Sequence, residues 1–374
     1  MDERQPSRIA QTNNANLPAV YRDELRAEAE RIERDLLQPR KLAARKVLIV
    51  GGAGYIGSVV TAHLLAQGYH VRSLDLLLYG NAATVFPFLG NPGYEFQYGD
   101  MGDDATLDRA FDGVTDVVLL AGLVGDPITK KYPEASAAIN DRGVAKVIER
   151  AAGRGLERFV FVSTCSNYGL IPTDSKADEN FPLSPLSLYA KSKVAAEGKL
   201  LGQAGKVDYT PTVLRFATAF GLSARLRFDL TVSEFTRAMF RKDDLLVFDA
   251  DTWRPYCHVQ DFATLIRRVL EAPRQDVAFE VFNAGGDVNN FTKQMIVDAI
   301  KAELPDAPVR YQDKGPDPRN YRVNFSKVRQ RLHFEPTYTV PDGVRELIAG
   351  LGQHLFDNVE ANRGFYGNYE ITYP

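Results

Sequence analysis

Cysteine is nearly absent from this chain: Cys165 and Cys257 are the two thiols among 374 residues. Two cysteines cannot build a disulfide framework, so the fold must rest on a packed core, and such usage suits a reducing, cytoplasmic setting. The five histidines, His63, His70, His258, His333 and His354, show no ligand spacing with one another or with cysteine, and no metal is expected. A large excess of charge of either sign is missing too. A formal net charge of −3 offers no basic field for nucleic acid, and the local group Arg40, Lys41, Arg45 and Lys46 reads as a solvated edge before a buried strand. No unbroken apolar run approaches a membrane span, and the amino end is polar, without a signal-like core. Neither nucleic acid nor membrane is an expected partner.

What the chain does have is 45% hydrophobic content, enough for a sizeable core in one large or two modest domains. Strand and helix signals alternate from 46 to about 217, as a doubly wound parallel sheet requires. The first strand signal, Val47-Leu48-Ile49-Val50, is short, β-branched and ends at glycine. Gly51-Gly52-Ala53-Gly54-Tyr55-Ile56-Gly57 follows, with a helix expected over 58–67. Gly51 would permit the tight turn, Gly54 the approach of backbone to a pyrophosphate, and Gly57 the packing of helix on strand. The helix N-terminus adds unpaired N–H groups and a partial positive charge. A second strand over 71–74 ends at Asp75, the right distance on for a carboxylate that accepts both ribose hydroxyls and repels a 2′-phosphate. Strand, loop, helix and acid together predict a Rossmann-type site for NAD rather than NADP.

Tyr189 and Lys193 are one helical turn apart, so both project from one face of a helix expected over 188–201. A close ammonium, together with an oxidised nicotinamide, favours the phenolate and makes tyrosine a usable base near neutrality. Alone, the pair fits an ordinary surface helix better. Thr164 changes that, because it follows the apolar run Phe159-Val160-Phe161-Val162 and so falls at the carboxyl end of a strand, where open α/β sheets place their ligands. A hydroxyl there can donate to and accept from a reacting oxygen. Loop, hydroxyl and Tyr-x-x-x-Lys describe hydride chemistry on a carbinol.

With these motifs in place, residues from about 46 to about 350 resemble the extended short-chain dehydrogenase/reductases that act on sugar nucleotides: epimerases, dehydratases, decarboxylases and ketoreductases. The resemblance implies a catalytic set of Thr164, Tyr189 and Lys193, with Lys193 lowering the tyrosine pKa and holding the nicotinamide ribose. It also implies cofactor contacts from Asp100 and Met101 after the third strand, from Leu120, Ala121 and Gly122 beside the nicotinamide ribose, and from Asn140 and Phe216. In Trp253-Arg254-Pro255-Tyr256-Cys257-His258-Val259-Gln260-Asp261, Arg254 would grip a substrate diphosphate, and Arg319 looks like its second arginine. Guanidinium forks suit phosphate oxygens at both places. Ser166 and Thr218 fall among the substrate contacts. Arg227, in Arg225-Leu226-Arg227-Phe228-Asp229-Leu230, is either another such contact or part of a solvated basic turn. The family's usual homodimer would pair helices at 135–153 and 188–202.

The departures from the family pattern are specific. Members that eliminate water across C5 and C6 carry Asp-Glu after the catalytic hydroxyl residue, where this chain has Cys165-Ser166. A substrate-contacting asparagine is replaced by Thr218.

Domain organisation is expected as an extension over 1–42, a nucleotide-binding domain over 43–217 plus about 261–285, and a smaller mixed α/β substrate lobe over 218–260 plus 286–374. In the extension, a polar start precedes a helix with Tyr21, Leu25, Ala29, Ile32 and Leu36 on one stripe. An aromatic tail carries Phe365, Tyr366, Tyr369 and Tyr373. The expected activity is NAD-dependent C4 epimerisation of a nucleotide-diphosphate sugar through a 4-keto intermediate. The alternatives are a 4-ketoreductase or oxidative decarboxylase with the same triad, and a non-catalytic dinucleotide sensor.

Overall fold

Short apolar runs bounded by turns become the strands of this fold, seen in a computed structural model that describes residues 45–172, 175–315, 317 and 319–373. In chain order they are β1 (Lys46–Val50), β2 (His70–Asp75), β3 (Tyr94–Tyr98), β4 (Asp116–Leu119), β5 (Arg158–Thr164), β6 (Thr210–Phe216), β7 (Thr218–Phe220), β8 (Leu245–Phe248), β9 (Trp253–His258), β10 (Glu280–Ala284), β11 (Asn290–Thr292) and β12 (Val309–Gln312). Seven of them form one sheet in the order β10-β6-β5-β4-β1-β2-β3, and every pairing in it is parallel. Both β1 and β4 are buried along their lengths, as strands covered on two faces must be. The chain winds outward from β1 to β3 and then crosses back to β4. Between β1 and β4 the winding reverses, and the carboxyl ends there diverge into a crevice. The return of residues 280–284 to this sheet is as expected. The described residues belong to the unit Ala44–Pro374. The extension over 1–42, including its apolar stripe, lies outside them.

The helix after the glycine loop begins at Tyr55 and runs to Ala66, earlier than the start at 58 expected from the sequence. The turn is completed within the loop, so Ser58 N already donates to Gly54 O at 3.0 Å. Gly57 consequently lies in the first helical turn, against the loop. The helix Leu188–Leu201 falls where expected, and the Ser187 hydroxyl caps it by accepting from Ala190 N. The helix expected over 135–153 runs from Pro133 to Ala151, with a π-helical stretch inside it. Short helices Asp126–Lys131 and Pro133–Ser136 lead into a π-helical stretch, Ala137–Gly143, before α-helix resumes at Val144–Ala151. Pro133 supplies no N–H, which explains the break at its position. The wider turn that follows carries Asn140, a placement that repeats the tendency of π-turns to lie at sites.

After β6 only Ala217 intervenes before β7, which leaves the large sheet and joins β9 and β11. A further pair, β8 and β12, is parallel. Phe220, Val232, Met239, Val247, Tyr256, Ile296, Ile300 and Val344 pack as a core of their own beneath these strands. The aromatic tail splits between the two cores. Tyr366 joins Phe228 and Phe356 at ring separations of 5.9 and 6.1 Å, whereas Ile371 and Tyr373 pack on the large-sheet core. Among the described residues no helix is long and apolar enough to cross a membrane.

One buried ion pair ties the helix Leu188–Leu201 to the sheet. Arg215, a lone charge in the apolar strand β6, sends Nη2 to Glu197 Oε2 at 2.8 Å and Nε to both Glu197 oxygens at 3.2 Å. The Glu197 carboxylate also accepts from Ser163 Oγ and from Asn167 Nδ2. Arg215 Nη1 continues to the Tyr168 hydroxyl at 3.0 Å, which donates to Asn283 Oδ1 on β10. Burial works against the arginine cation, and the Glu197 carboxylate more than offsets it, leaving the Arg215 pKa above its ordinary value. Removing one partner would strand the other charge. Glu197→Ala is therefore expected to cost about 3–5 kcal/mol in urea unfolding, and a Glu197→Met/Arg215→Met pair should recover most of that loss.

Candidate active site

A cavity of about 610 Å3 opens in the crevice at the carboxyl ends of β1, β4 and β5. It is lined by Gly51, Gly54, Tyr55, Ile56 and Gly57 from the loop, by Asp75, Asp100 and Met101 after β2 and β3, and by Leu120, Ala121 and Gly122 after β4. Thr164, Ser166, Tyr189, Lys193, Phe216, Thr218, Arg227, Arg254 and Arg319 complete the expected set. Of the residues singled out from the sequence, Asn140 alone does not reach the lining.

The glycine loop meets the demands of a dinucleotide closely. Gly51 has φ +93°, and a Cβ there would meet Ala121 N at 2.8 Å; a Cβ on Gly57 would meet Gly51 O at 2.1 Å. Only glycine at both positions keeps the loop this tight against the helix N-terminus. Asp75 is held by two backbone donors, Ala53 N to Oδ2 at 3.0 Å and Leu77 N to Oδ1 at 2.8 Å. Each oxygen keeps a further lone pair for a ribose hydroxyl. Burial raises the Asp75 pKa, and these hydrogen bonds oppose that rise. Asp100 Oδ1 accepts from Gly102 N at 2.7 Å. Glycine cradle, fixed acid and buried lining fit the cofactor expected from the sequence.

Asn140 has a different task. Its Oδ1 accepts from Leu123 N at 2.7 Å and its Nδ2 donates to Leu123 O at 3.0 Å, so the amide is spent on the backbone of the loop after β4. It shapes the cavity wall from behind.

Thr164, Tyr189 and Lys193 come together from the end of β5 and from one face of the capped helix. The Thr164 hydroxyl accepts from Ser166 N at 3.1 Å, which fixes its rotamer at the strand end and leaves its proton to donate. Lys193 is 5% exposed and donates from Nζ to Val162 O at 2.8 Å. Its ammonium lies 4.8 Å from the Phe161 ring centroid and 5.9 Å from that of Tyr189. Burial, only partly countered by Glu197, brings the Lys193 pKa down to about 8. The Tyr189 phenol is pushed up by burial, and the cation that pulls it back is Arg227. Lys193 stands on the same face of the helix, beside the Tyr189 ring. The tyrosine is a protonated phenol until further positive charge arrives.

Arg227 is buried and is not part of a solvated turn. It forms a two-pronged pair with Asp229, Nε to Oδ1 at 3.0 Å and Nη2 to Oδ2 at 2.6 Å. Arg254 and Arg319 share one acid: Asp317 Oδ2 lies 3.1 Å from Arg254 Nη2 and 2.8 Å from Arg319 Nη2. Arg319 Nη1 pairs in addition with Asp126 at 3.0 Å. The two cations hold Asp317 well below the usual carboxylate range against the opposing effect of burial. Ser166 Oγ lies 3.3 Å from the Tyr321 hydroxyl. Cys165 is buried, its thiol donating to Arg215 O, and burial pushes its pKa well up. Neither residue after Thr164 supplies an acid or a base.

Several cavity residues escaped the sequence reading: Tyr79, Asp126, Arg225, Asp317 and Asn368. The positioning pair Glu197 and Arg215 escaped it as well, although a glutamate on the buried helix face carrying Lys193, and an arginine inside an apolar strand, are the two signals that could have revealed it.

The chain matches the NAD dependent epimerase/dehydratase family over residues 47–285. It is 30% identical over 324 residues to a dTDP-glucose 4,6-dehydratase of Streptomyces griseus, covering 82% of this chain and 94% of that one. With a UDP-glucose 4-epimerase of Halalkalibacterium halodurans it shares 27% identity over 78% of this chain and 91% of the relative. Among solved structures, the UDP-glucose 4-epimerase of Thermotoga maritima with UDP-glucose superposes with a TM-score of 0.75 at 25% identity, covering 83% of this chain and 99% of that one. The Thermus thermophilus UDP-glucose 4-epimerase in complex with NAD gives 0.71 at 25% identity over 81% and 98%. A parallel sheet with its crevice at β1 and β4, a glycine cradle beside a fixed acid, and a threonine, tyrosine and lysine in one cavity agree with these matches: the chain belongs to the NAD dependent epimerase/dehydratase family.

Proposed function

We propose that this protein is an NAD-dependent epimerase that inverts C4 of a nucleotide-diphosphate sugar. The observation that carries the reading is the convergence of Thr164, Tyr189 and Lys193 in the glycine-loop cavity, with Cys165 and Ser166 in place of an acid and base. Bound NAD supplies a reversible two-electron oxidant at C4 and a positive charge beside the phenol. Gly51, Gly54, Gly57 and Asp75 would hold its diphosphate and ribose, and Asp100, Met101, Leu120, Ala121 and Gly122 its two ends.

The chain's own groups then have defined tasks. Thr164 hydrogen-bonds the 4-hydroxyl and Tyr189 takes its proton, with Arg227 the standing cation that eases phenol ionisation. Lys193, fixed by Val162 O, adds a donor to the same region. Arg254 and Arg319 bind the substrate diphosphate far from the reacting carbon. Anchoring through that diphosphate leaves the 4-keto sugar free to turn its other face and recover the proton from Tyr189. Elimination across C5 and C6 would need a carboxylic acid and a base beyond Thr164, and a buried thiol with a hydroxyl provides neither. The reading includes a homodimer formed through the helices at 135–153 and 188–202.

A panel of sugar nucleotides followed by proton NMR tests this: C4-inverted product without added reduced cofactor is expected, and a 4-keto-6-deoxy product or a stoichiometric need for NADH would overturn it. Tyr189→Phe should lower kcat by about 100- to 10,000-fold with NAD retention unchanged, measured by turnover and by cofactor carried through gel filtration. Lys193 should show an opposition between stability and activity. With its pKa at about 8 against an ordinary 10.5, the unfolded chain keeps between those values a proton that the folded chain has lost. Stability of the cofactor-free protein therefore rises with pH across that window and falls as pH drops through it. Lys193→Met is expected to abolish that slope, to stabilise the cofactor-free protein at pH 7 by on the order of 3 kcal/mol, and to impair turnover, as urea unfolding and rate measurements would register.

A further inference from the structure

Arginines in this cavity are paired with carboxylates, with one exception. Arg227 has Asp229, and Arg254 and Arg319 have Asp317. Arg225 lines the same cavity and is 2% exposed, yet among the described residues it makes no ion pair. Its Nη2 donates to two neutral acceptors, Gly367 O at 3.3 Å and Asn368 Oδ1 at 2.9 Å, while Nε is buried with no partner. The guanidinium lies 3.9 Å from the centroid of the Tyr79 ring, so the residue is held from two sides. Burial, reinforced by Arg227 and countered by Tyr79, Asp229 and Asp75, brings its pKa down to about 10, which leaves it cationic at neutral pH. A buried cation without a counter-ion calls for an anion.

Its surroundings say which one. The loop that carries it is docked on the first turn of the glycine-loop helix: Tyr55 donates its hydroxyl to Gly221 O at 2.8 Å, and Ser223 Oγ donates to Tyr55 O at 2.6 Å and lies 3.1 Å from Ser58 Oγ. Arg225 N itself reaches Ser223 Oγ at 3.3 Å. The cation is thus brought from the second core to the loop whose glycines make room for a diphosphate.

The carboxy-terminal segment fixes it there. Asn368, 7% exposed, donates from its backbone to Asp229 Oδ2 at 3.3 Å and from Nδ2 to Val124 O at 2.8 Å, while its Oδ1 accepts from Arg225. Farther on, Lys131 reaches Tyr369 O and Glu370, and the Tyr373 hydroxyl donates to Asp100 Oδ2 at 2.8 Å. The segment therefore crosses from the Arg225 loop to the loops after β4 and β3, both of which line the cavity.

Resting on the reading that this cavity holds NAD, we infer that Arg225 is the cation that binds the cofactor diphosphate, and that the segment from Gly367 to Tyr373, acting through Asn368, holds it in place and slows cofactor release. Asn368 is a positioning residue in this scheme. A planar fork with an open Nε suits phosphate oxygens better than a lysine would.

The test uses the full chain stripped of cofactor, with affinities for NAD, ADP, adenosine and NADP measured by calorimetry, and NAD release followed by displacement. Arg225→Met is expected to weaken NAD and ADP on the order of 10- to 100-fold, the weight of one or two charge-assisted hydrogen bonds, and adenosine less than about twofold. Arg225→Lys should fall between, and Asn368→Ala should show the same ligand pattern with faster NAD release. Equal losses for adenosine and ADP, or unchanged NAD affinity in Arg225→Met or Arg225→Lys, would overturn the assignment. A loss confined to NADP would move the arginine to the ribose and overturn it as well. Should the unaltered protein bind neither NAD nor ADP, the functional reading falls along with this inference. Normal binding by the unaltered chain and by both arginine variants sinks the inference alone.

Discussion

The contact between Glu197 and Arg215 bears on everything the cavity does. Tyr189, Lys193 and Glu197 occupy one face of one capped helix, and Glu197 fastens that face to β6 through a buried guanidinium. Ser163 and Asn167 bring the end of β5 into the same contact, so the strand end that presents Thr164 and the helix that presents Tyr189 are registered against each other by one carboxylate. Charge buried at this depth is a poor source of net stability, but it is intolerant of misplacement. Geometry at the reacting atoms is the return on that intolerance.

Around this fixed side the cavity is assembled from parts that are far apart in sequence. The large sheet contributes the glycine loop and Asp75, while the second core contributes four arginines: Arg225 and Arg227 before the helix Thr231–Arg241, Arg254 on β9 and Arg319 after β12. Acids accompany Arg227, Arg254 and Arg319, whereas among the described residues Arg225 makes no ion pair and has a backbone carbonyl, an amide oxygen and an aromatic face for company.

The features legible in the sequence were those written in short local patterns. Gly51, Gly54 and Gly57 with Asp75, the strand ending at Thr164, and the Tyr189 and Lys193 pair each depend on a strand or helix period and a few neighbouring residues, and each reached the cavity. The start of the first helix was misjudged because the loop closes its own first turn. The bonds of Asn140 to the Leu123 backbone depend on a π-turn about which a family position carries no information. The approach of Arg227 to Tyr189, from another part of the chain, has no local signal. Arg225 and Asn368 lie 143 positions apart, and no periodicity announces such a meeting.

Asp317 lies between two guanidiniums, and Asp126 pairs with one of them as well. On the proposed reading, a diphosphate entering there would exchange with a resident carboxylate instead of joining two bare cations, and much of the Coulomb attraction between newcomer and arginines would be cancelled by the attraction it displaces. What then distinguishes a long linked phosphate pair from a stray chloride or acetate is shape: two forks a fixed distance apart reward a rigid, bidentate guest and give a small one no advantage over the acid already in residence. Discrimination at this end of the crevice would then be steric in origin, although every group involved is charged.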